Sequence, residues 1–302
     1  ALVEASLSAR AFLHLVNLGV PFPRDPYGQF IGYKTDHDPR QRATSIGPYT
    51  SREMCRALIR QVRRLDISIR EGTEVAELLT VADGGARRAA GAVAVRPDGS
   101  LEAFGAENVV FAVGGPGGIY KTSVYPTVHT GAIGLALLAG ARAQSLPESQ
   151  YGLASIQFRW NVSGTYMQVV PRFVSTAADG RSEPREFLRE YFDSAGQMNS
   201  NVFLKGYQWP FDSRKAVGGS SIVDILVYIE TVLKGRRAFL DFRANPDGFR
   251  IDDLSQEARD YLTKSRALQE TPSERLRAMN PGAVDLYRDH GIDITAEPLE
   301  IG

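Results

Sequence analysis

Apolar positions along the first 65 residues follow a helical rhythm with one long interruption. Leu2, Leu7, Phe12, Leu13, Val16 and Leu18 recur at spacings that fit one buried helix face, and Gly19 follows as a stop. Pro21 to Arg42 is rich in Pro, Gly, Asp and Arg and predicts a long surface loop. Thr50-Ser51-Arg52-Glu53 reads as a capping box, after which Met54, Ala57, Leu58, Val62 and Leu65 mark the inner face of a second helix. Arg52, Arg56, Arg60, Arg63 and Arg64 take much of the other face as a solvated stripe, and Cys55 is expected as a small buried side chain.

Alternation then replaces the helical period. Asp66 to Arg70 predicts a short strand. Val75 to Val81, Ala89 to Val95 and Leu101 to Phe104 predict three more, separated by the turn signals Asp83-Gly84-Gly85 and Pro97-Asp98-Gly99-Ser100. These three form an antiparallel meander. Asn108 to Val113 is a nearly unbroken apolar run, as in a strand buried on both faces, and it ends in Gly114-Gly115-Pro116-Gly117-Gly118. Gly131 to Ala141 predicts a helix of small residues. From about Tyr151 aromatic and β-branched residues dominate as far as Ser175. Further helices are expected over Ser220 to Lys234, after the cap Ser255 to about Leu268, from Thr271-Pro272-Ser273-Glu274, and over Pro281 to His290, with a strand at Ala238 to Phe242.

Composition narrows the function classes. At roughly 150 residues per domain, 302 residues allow about two domains. A 43% hydrophobic, 23% charged chain is neither disordered nor fibrous. Lys plus Arg equals Asp plus Glu at 35 each, so the formal net charge is zero, which argues against a nucleic-acid or acidic-membrane partner. Cys55 alone cannot build a disulfide framework, and His14, His37, His129 and His290 are too scattered for a metal pair. No apolar run reaches the roughly 18–20 residues that span a bilayer, and the opening segment lacks signal-peptide features. The chain is therefore read as cytoplasmic, with no direct membrane span. It begins without Met and stops on Pro298-Leu299-Glu300-Ile301-Gly302, so it is read as a piece of a longer protein.

Glycines at the carboxyl end of a buried strand let a ligand approach the backbone, although a tight structural turn explains the Gly114–Gly118 cluster equally well. The cluster does not match GxGxxG, and Pro116 lacks an amide donor. The order helix, strand, meander, buried strand, Ala112-Val113-Gly114-Gly115 resembles the flavoprotein subunits of the fumarate reductase and succinate dehydrogenase family. Gly19-Val20-Pro21-Phe22 with Arg24 resembles that family's GVPF turn. Val128 to Ala141 resembles its TGDG helix start, and Gln157-Phe158 falls where the family has QF-H-P. The resemblance covers nearly the whole chain in order and spacing, with close motifs at residues 19–24 and 109–158.

The resemblance implies an α/β fold, α+β in its second half. Residues 1–150 would be a partial FAD-binding domain lacking the dinucleotide-binding βαβ unit. Residues 151–294 would be a capping domain, and 295–302 the start of the strand returning to the FAD domain. It places FAD contacts at Val75, Ala112, Val113, Gly114, Gly115 and Gly131, and expects the remaining segments of the parent chain and a small carboxylate substrate as partners. Departures qualify the chemistry. Thr130 or Ala132 stands where the TGDG aspartate belongs, Arg159-Trp160-Asn161 replaces His-Pro-Thr, and the RGEGG run has no copy, with Pro171-Arg172-Phe173 near its place. Arginine's planar fork suits a carboxylate, so Arg159, in an aromatic stretch, and Arg172 are candidate substrate contacts, each set against a structural ion pair. His129 is a candidate donor to substrate or flavin. Tyr207-Gln208-Trp209-Pro210-Phe211 fits a stacking platform or cap-domain packing. Hydride transfer between FAD and a carboxylate-bearing substrate in the parent is the first expectation, with the isolated chain inactive. A cofactor-free scaffold that keeps the fold is the alternative, and nucleotide binding through Gly114 to Gly118 alone is a third.

Overall fold

The structure is a computed structural model that describes residues 2–35, 38–115, 117, 124, 129, 131–146 and 152–302. Pro116, Gly118, Val128, Thr130 and Tyr151, which the sequence reading used, lie outside the described residues. The chain forms two compact units, one of Ala1–Leu65 with Gln150–Gly302 and one of Asp66–Ser149. These cut the chain differently from the expected division at residue 150.

The Asp66–Ser149 unit holds the meander. Strands β3 (Glu74–Asp83), β4 (Ala86–Val95) and β5 (Leu101–Gly105) pair antiparallel in the order β3-β4-β5. Asp83 faces Ala86 across the two-residue turn Gly84-Gly85, both glycines at positive φ, which matches the twist of the strands it joins. At Gly91, φ +150°, a Cβ would fall 1.8 Å from the Phe104 carbonyl oxygen, so the β4–β5 pairing requires glycine there. Two expected strands are absent. Asp66 to Arg70 leaves the preceding helix as turn and irregular chain. Asn108 to Val113 pairs with no described strand, and Val110 is 90% exposed. A run of this kind reads as a central strand, which takes a neighbour on each side, and no described strand bonds it. Downstream, α3 (Ile133–Leu138) occupies the middle of the expected small-residue helix.

In the larger unit, α1 (Leu2–Asn17) carries no fully buried residue. Leu2, Leu7 and Leu13 are exposed. Only Phe12, Leu15, Val16 and Leu18 pack against Val20, Phe22 and Ala57 of a small cluster. The expected loop over 21–42 contains a short hairpin, β1 (Tyr33–Thr35) with β2 (Asp38–Ala43). Helix α2 (Thr50–Arg64) forms as expected, but not through the expected cap. The Thr50 hydroxyl accepts from the Ile46 amide and donates to the Gly47 carbonyl, so it serves the preceding loop. Cys55 is exposed, which corrects its expected burial.

The main core lies between a four-stranded antiparallel sheet and helices. The sheet order is β7 (Arg185–Glu186), β6 (Arg172–Thr176), β8 (Arg237–Asp241), β9 (Leu299–Ile301). Phe173 faces Leu240, which faces Leu299, and all three are buried, while Arg237, Phe239 and Glu300 stand on the other face. That alternation is the period of a half-covered sheet. Around it pack α4 (Thr165–Gln168), α5 (Ala195–Leu204), α6 (Ile222–Tyr228), α7 (Gln256–Lys264), α8 (Pro272–Met279) and α9 (Pro281–Asp289). Ser255 caps α7 as expected, and the Thr271–Glu274 capping box is complete at α8. Helix α5 has no counterpart in the sequence reading.

Arg275 in α8 is fully buried and forms no ion pair with any described carboxylate. Its Nε and Nη2 donate to the Val169 carbonyl at 3.1 and 2.9 Å, Nη1 to the carbonyls of Gln269 and Glu270, and Nη2 to Asn245 Oδ1. Burial lowers its pKa to about 10, still far above neutrality, so it keeps its charge. Arg275→Met fills the space but strips the donors from three carbonyls. We expect a loss of about 3 kcal/mol or more, seen as a lower urea midpoint, with Arg275→Lys recovering only part of it.

Candidate functional site

The residues expected to meet a cofactor are in the Asp66–Ser149 unit. Val75 lies on β3 opposite Ala94 and is 43% exposed. Ala112, Gly114 and Gly115 present exposed backbone, and Val113 is half-buried. Gly114 has φ +76°, and a Cβ on it would meet the His129 ring at 3.0 Å from Cε1. Gly115 has nothing within 4 Å of its own ideal Cβ. The structure thus brings Gly114 and His129 into contact and leaves a bare backbone edge beside them, the form a flat ligand needs to lie close to main-chain atoms. Gly131, φ +105°, accepts from the Gly134 amide at 2.9 Å as the chain turns into α3.

The candidate arginines belong to the larger unit. Arg159 is exposed, between half-buried Phe158 and Trp160. Arg172 on β6 donates through Nη2 to Asp241 Oδ2 at 2.6 Å, with Glu186 Oε1 at 3.8 Å from Nη1. Burial alone would raise the Asp241 carboxyl, but hydrogen bonds from Arg243 and Arg172 outweigh it and hold it at about 2. Glu230, 2% exposed, behaves alike. Against its burial stand Lys234, Arg185 and Ser175, and the carboxyl is held at about 2. Arg236 pairs with Glu230 and Glu183, and Arg237 with Glu300.

A cleft of about 1130 Å³ opens within the larger unit, and sequence reasoning did not find it. Strand β1, residues 44–48 and Thr50 at the start of α2 give one side, segments of 160–168, Gly206, Tyr207 and Trp209 another, and the end of α7 with Met279 and Asn280 the rest. Its aromatic wall is Trp160, Tyr166, Tyr207, Trp209 and Tyr261, and Asn161, Gln168 and Asn280 supply amides. Phe158 stacks behind Trp160 at 5.8 Å between ring centroids. Lys205, 1% exposed, pairs with Asp224 at 2.7 Å and donates to the Gln208 carbonyl at 3.2 Å, which fixes the Tyr207–Trp209 segment. The indole edge of Trp209 rests on Gly152, where a Cβ would lie 1.3 Å from Nε1. At the rim Lys34 is bound to Glu257, which also accepts from the Tyr207 hydroxyl at 2.6 Å. Burial works against the Glu257 charge, yet these two donors hold its carboxyl below the ordinary value. Among the described residues no His, Cys, Asp and Glu group could hold a metal, and no helix is long and apolar enough to cross a membrane.

Comparison with known proteins agrees with the family the motifs resemble. Residues 1–182 match the FAD binding domain family. An L-aspartate oxidase of Agrobacterium fabrum is 29% identical over 219 residues, covering 68% of this chain and 40% of that protein. One from Streptomyces coelicolor is 35% identical over 119 residues, 38% of this chain and 20% of that protein. Among solved structures, a quinol-fumarate reductase with menaquinol molecules superposes over 96% of this chain and 45% of its own, with TM-score 0.61 and 17% identity. Adenylylsulfate reductase from Archaeoglobus fulgidus gives TM-score 0.53 and 16% identity over 96% of this chain and 42% of its own. The chain therefore spans less than half the length of these relatives, and the structural likeness establishes the fold: mixed helices and antiparallel sheets as in FAD-binding flavoprotein subunits.

The depressed carboxyls set an acid limit on the larger unit. Asp241 and Glu230 titrate near 2 when folded against 3.8 and 4.5 ordinarily, so their stabilisation is complete above about pH 5. It is lost as pH falls through about 4 toward 2. Urea unfolding across that range should show the decline, and Asp241→Asn should lower the plateau while flattening the slope.

Proposed function

The chain belongs to the FAD binding domain family, and from that premise we propose that it is the central part of an FAD-dependent oxidoreductase acting on a small carboxylate-bearing substrate. The observation that carries the reading is the Gly114–His129 corner. A left-handed glycine whose side chain would strike His129, followed by a bare Gly115, suits the adenosine edge of FAD. In this reading Val75, Ala112, Val113, Gly114, Gly115 and Gly131 hold that edge, and His129 donates a hydrogen bond to flavin or substrate.

When bound, FAD supplies the hydride chemistry. The chain's own residues then do the positioning. Arg159, exposed on the segment that also carries cleft residues Trp160 and Asn161, is suited to anchor a substrate carboxylate through its planar fork. Arg172 keeps Asp241 charged inside the sheet and acts on the site only by holding β6 in place. Residues 1–150 serve as part of the cofactor domain. Residues 151–294 serve as a cap whose closure excludes water, and 295–302 start the return to the cofactor domain.

No GxGxxG occurs in these 302 residues, so the sequence offers no loop of that kind for a pyrophosphate. The isolated chain is therefore expected to lose FAD on gel filtration and to be inactive. The uninterrupted longer protein should show a flavin absorbance band that Gly114→Val reduces several-fold, and unsaturated or hydroxy acids should reoxidise or reduce it. A longer protein that purifies without flavin, and takes up none when supplied with FAD, would overturn the reading in favour of a cofactor-free scaffold.

A further inference from the structure

The cleft of the larger unit has a chemistry of its own, and the inference drawn from it does not depend on the flavin reading. Its lining contains two charged side chains, Lys34 and Lys264, and no carboxylate among the described residues. Lys34 is already neutralised by Glu257. Lys264, on the last turn of α7, is exposed and forms no ion pair with any described residue, so among the described lining residues it is the uncompensated positive charge. The same lining carries an aromatic wall that is fixed before any ligand arrives. Phe158 backs Trp160, Lys34 covers one face of Tyr207 at 4.8 Å, and the buried Lys205–Asp224 pair anchors the segment between Tyr207 and Trp209.

We propose that this cleft is a binding site for an aryl monocarboxylate, its ring against Trp160, Tyr207 and Trp209 and its carboxylate on Lys264. Several other ligand classes fit less well. At about 1130 Å³ the space exceeds the roughly 300–1,000 Å³ of most small-molecule sites and has room for a ring beside an acid group, whereas a four-carbon diacid would leave the aromatic faces uncovered. A nucleotide would bring several charges to a single free lysine, with no arginine in the lining. An unmodified sugar would leave the ammonium without a counter-charge. A flat ring with one anionic group satisfies the aromatic faces and, among the described residues, the one unpaired lysine together.

The tryptophans make the proposal directly measurable. The chain has two, Trp160 and Trp209, and both line the cleft, so its intrinsic fluorescence reports on this site. Titration of the 302-residue chain with 3-phenylpropionate, excited at about 295 nm where that acid is transparent, should give a saturable change. Succinate, which has no ring, and 3-phenylpropanol, which has no charge, should each bind at least tenfold more weakly. Lys264→Met removes an exposed side chain and should leave the melting temperature unchanged. It should weaken 3-phenylpropionate about tenfold and leave 3-phenylpropanol as it was. Gly152→Ala, which displaces the Trp209 indole, should weaken both. Equal affinity for the acid and the alcohol, an unaltered Lys264→Met titration, or no saturable change overturns the proposal. Because the readout needs no flavin, loss of FAD from the chain leaves the result intact, and a positive result leaves the flavin reading still to be judged by its own spectrum.

Discussion

Burial of the Arg275 guanidinium without a carboxylate beside it is the constraint around which the larger unit is arranged. A charge removed from water must recover its solvation from fixed dipoles, and here main-chain carbonyls and one amide supply them. The carbonyl of Val169 comes from the segment joining α4 to β6, those of Gln269 and Glu270 from the approach to α8, and Asn245 from the loop after β8. Phe249 lies under the guanidinium at 4.7 Å. One side chain thereby joins three stretches far apart in sequence, and the first follows directly on the cleft-lining residues 160–168. The position of that wall is a consequence of an interaction outside the cleft.

The other buried charges follow the same logic in the opposite sense. Asp241 and Glu230 are carboxylates inside or beside the sheet, each surrounded by arginine, lysine or hydroxyl donors that outweigh desolvation. Arginines that are conspicuous in the sequence, Arg172 and Arg236 among them, are consumed in keeping these anions charged. A sequence shows how many cations exist but not which are already spoken for. Among the described residues lining the cleft, the charge without an ion-pair partner is an exposed lysine on α7 that no motif singles out.

Legibility tracked the range of the interactions. The meander was readable because its determinants are local: an approximate alternation, Gly84-Gly85 at a hairpin and Asp98-Gly99 at the next turn. The caps at Ser255 and Thr271 were readable for the same reason. The identical pattern at Thr50 misled because its hydroxyl had a better partner in the loop before the helix. Helix α5 was missed because Asn199, Ser200 and Asn201 are buried. The Ser200 hydroxyl bonds back to Gly196 and receives the Ser255 amide, an arrangement that exists only once α7 has docked. The run 108–113 misled in reverse, since its apolar pattern states a need for neighbouring strands without providing them.

By itself, the amino-acid sequence pointed to the family and the meander, and it marked Gly114 and Gly115 as places where a ligand or a tight turn needs bare backbone. Each depends on residue types within a few positions of one another or on motifs that survive as short strings. Tertiary structure alone decided which charges are compensated, which aromatics share a cavity, and that Lys264 faces it unpaired. Many of those are relations between residues tens of positions apart, such as Arg172 with Asp241 or Trp160 with Trp209, and only the packing of the chain brings them together.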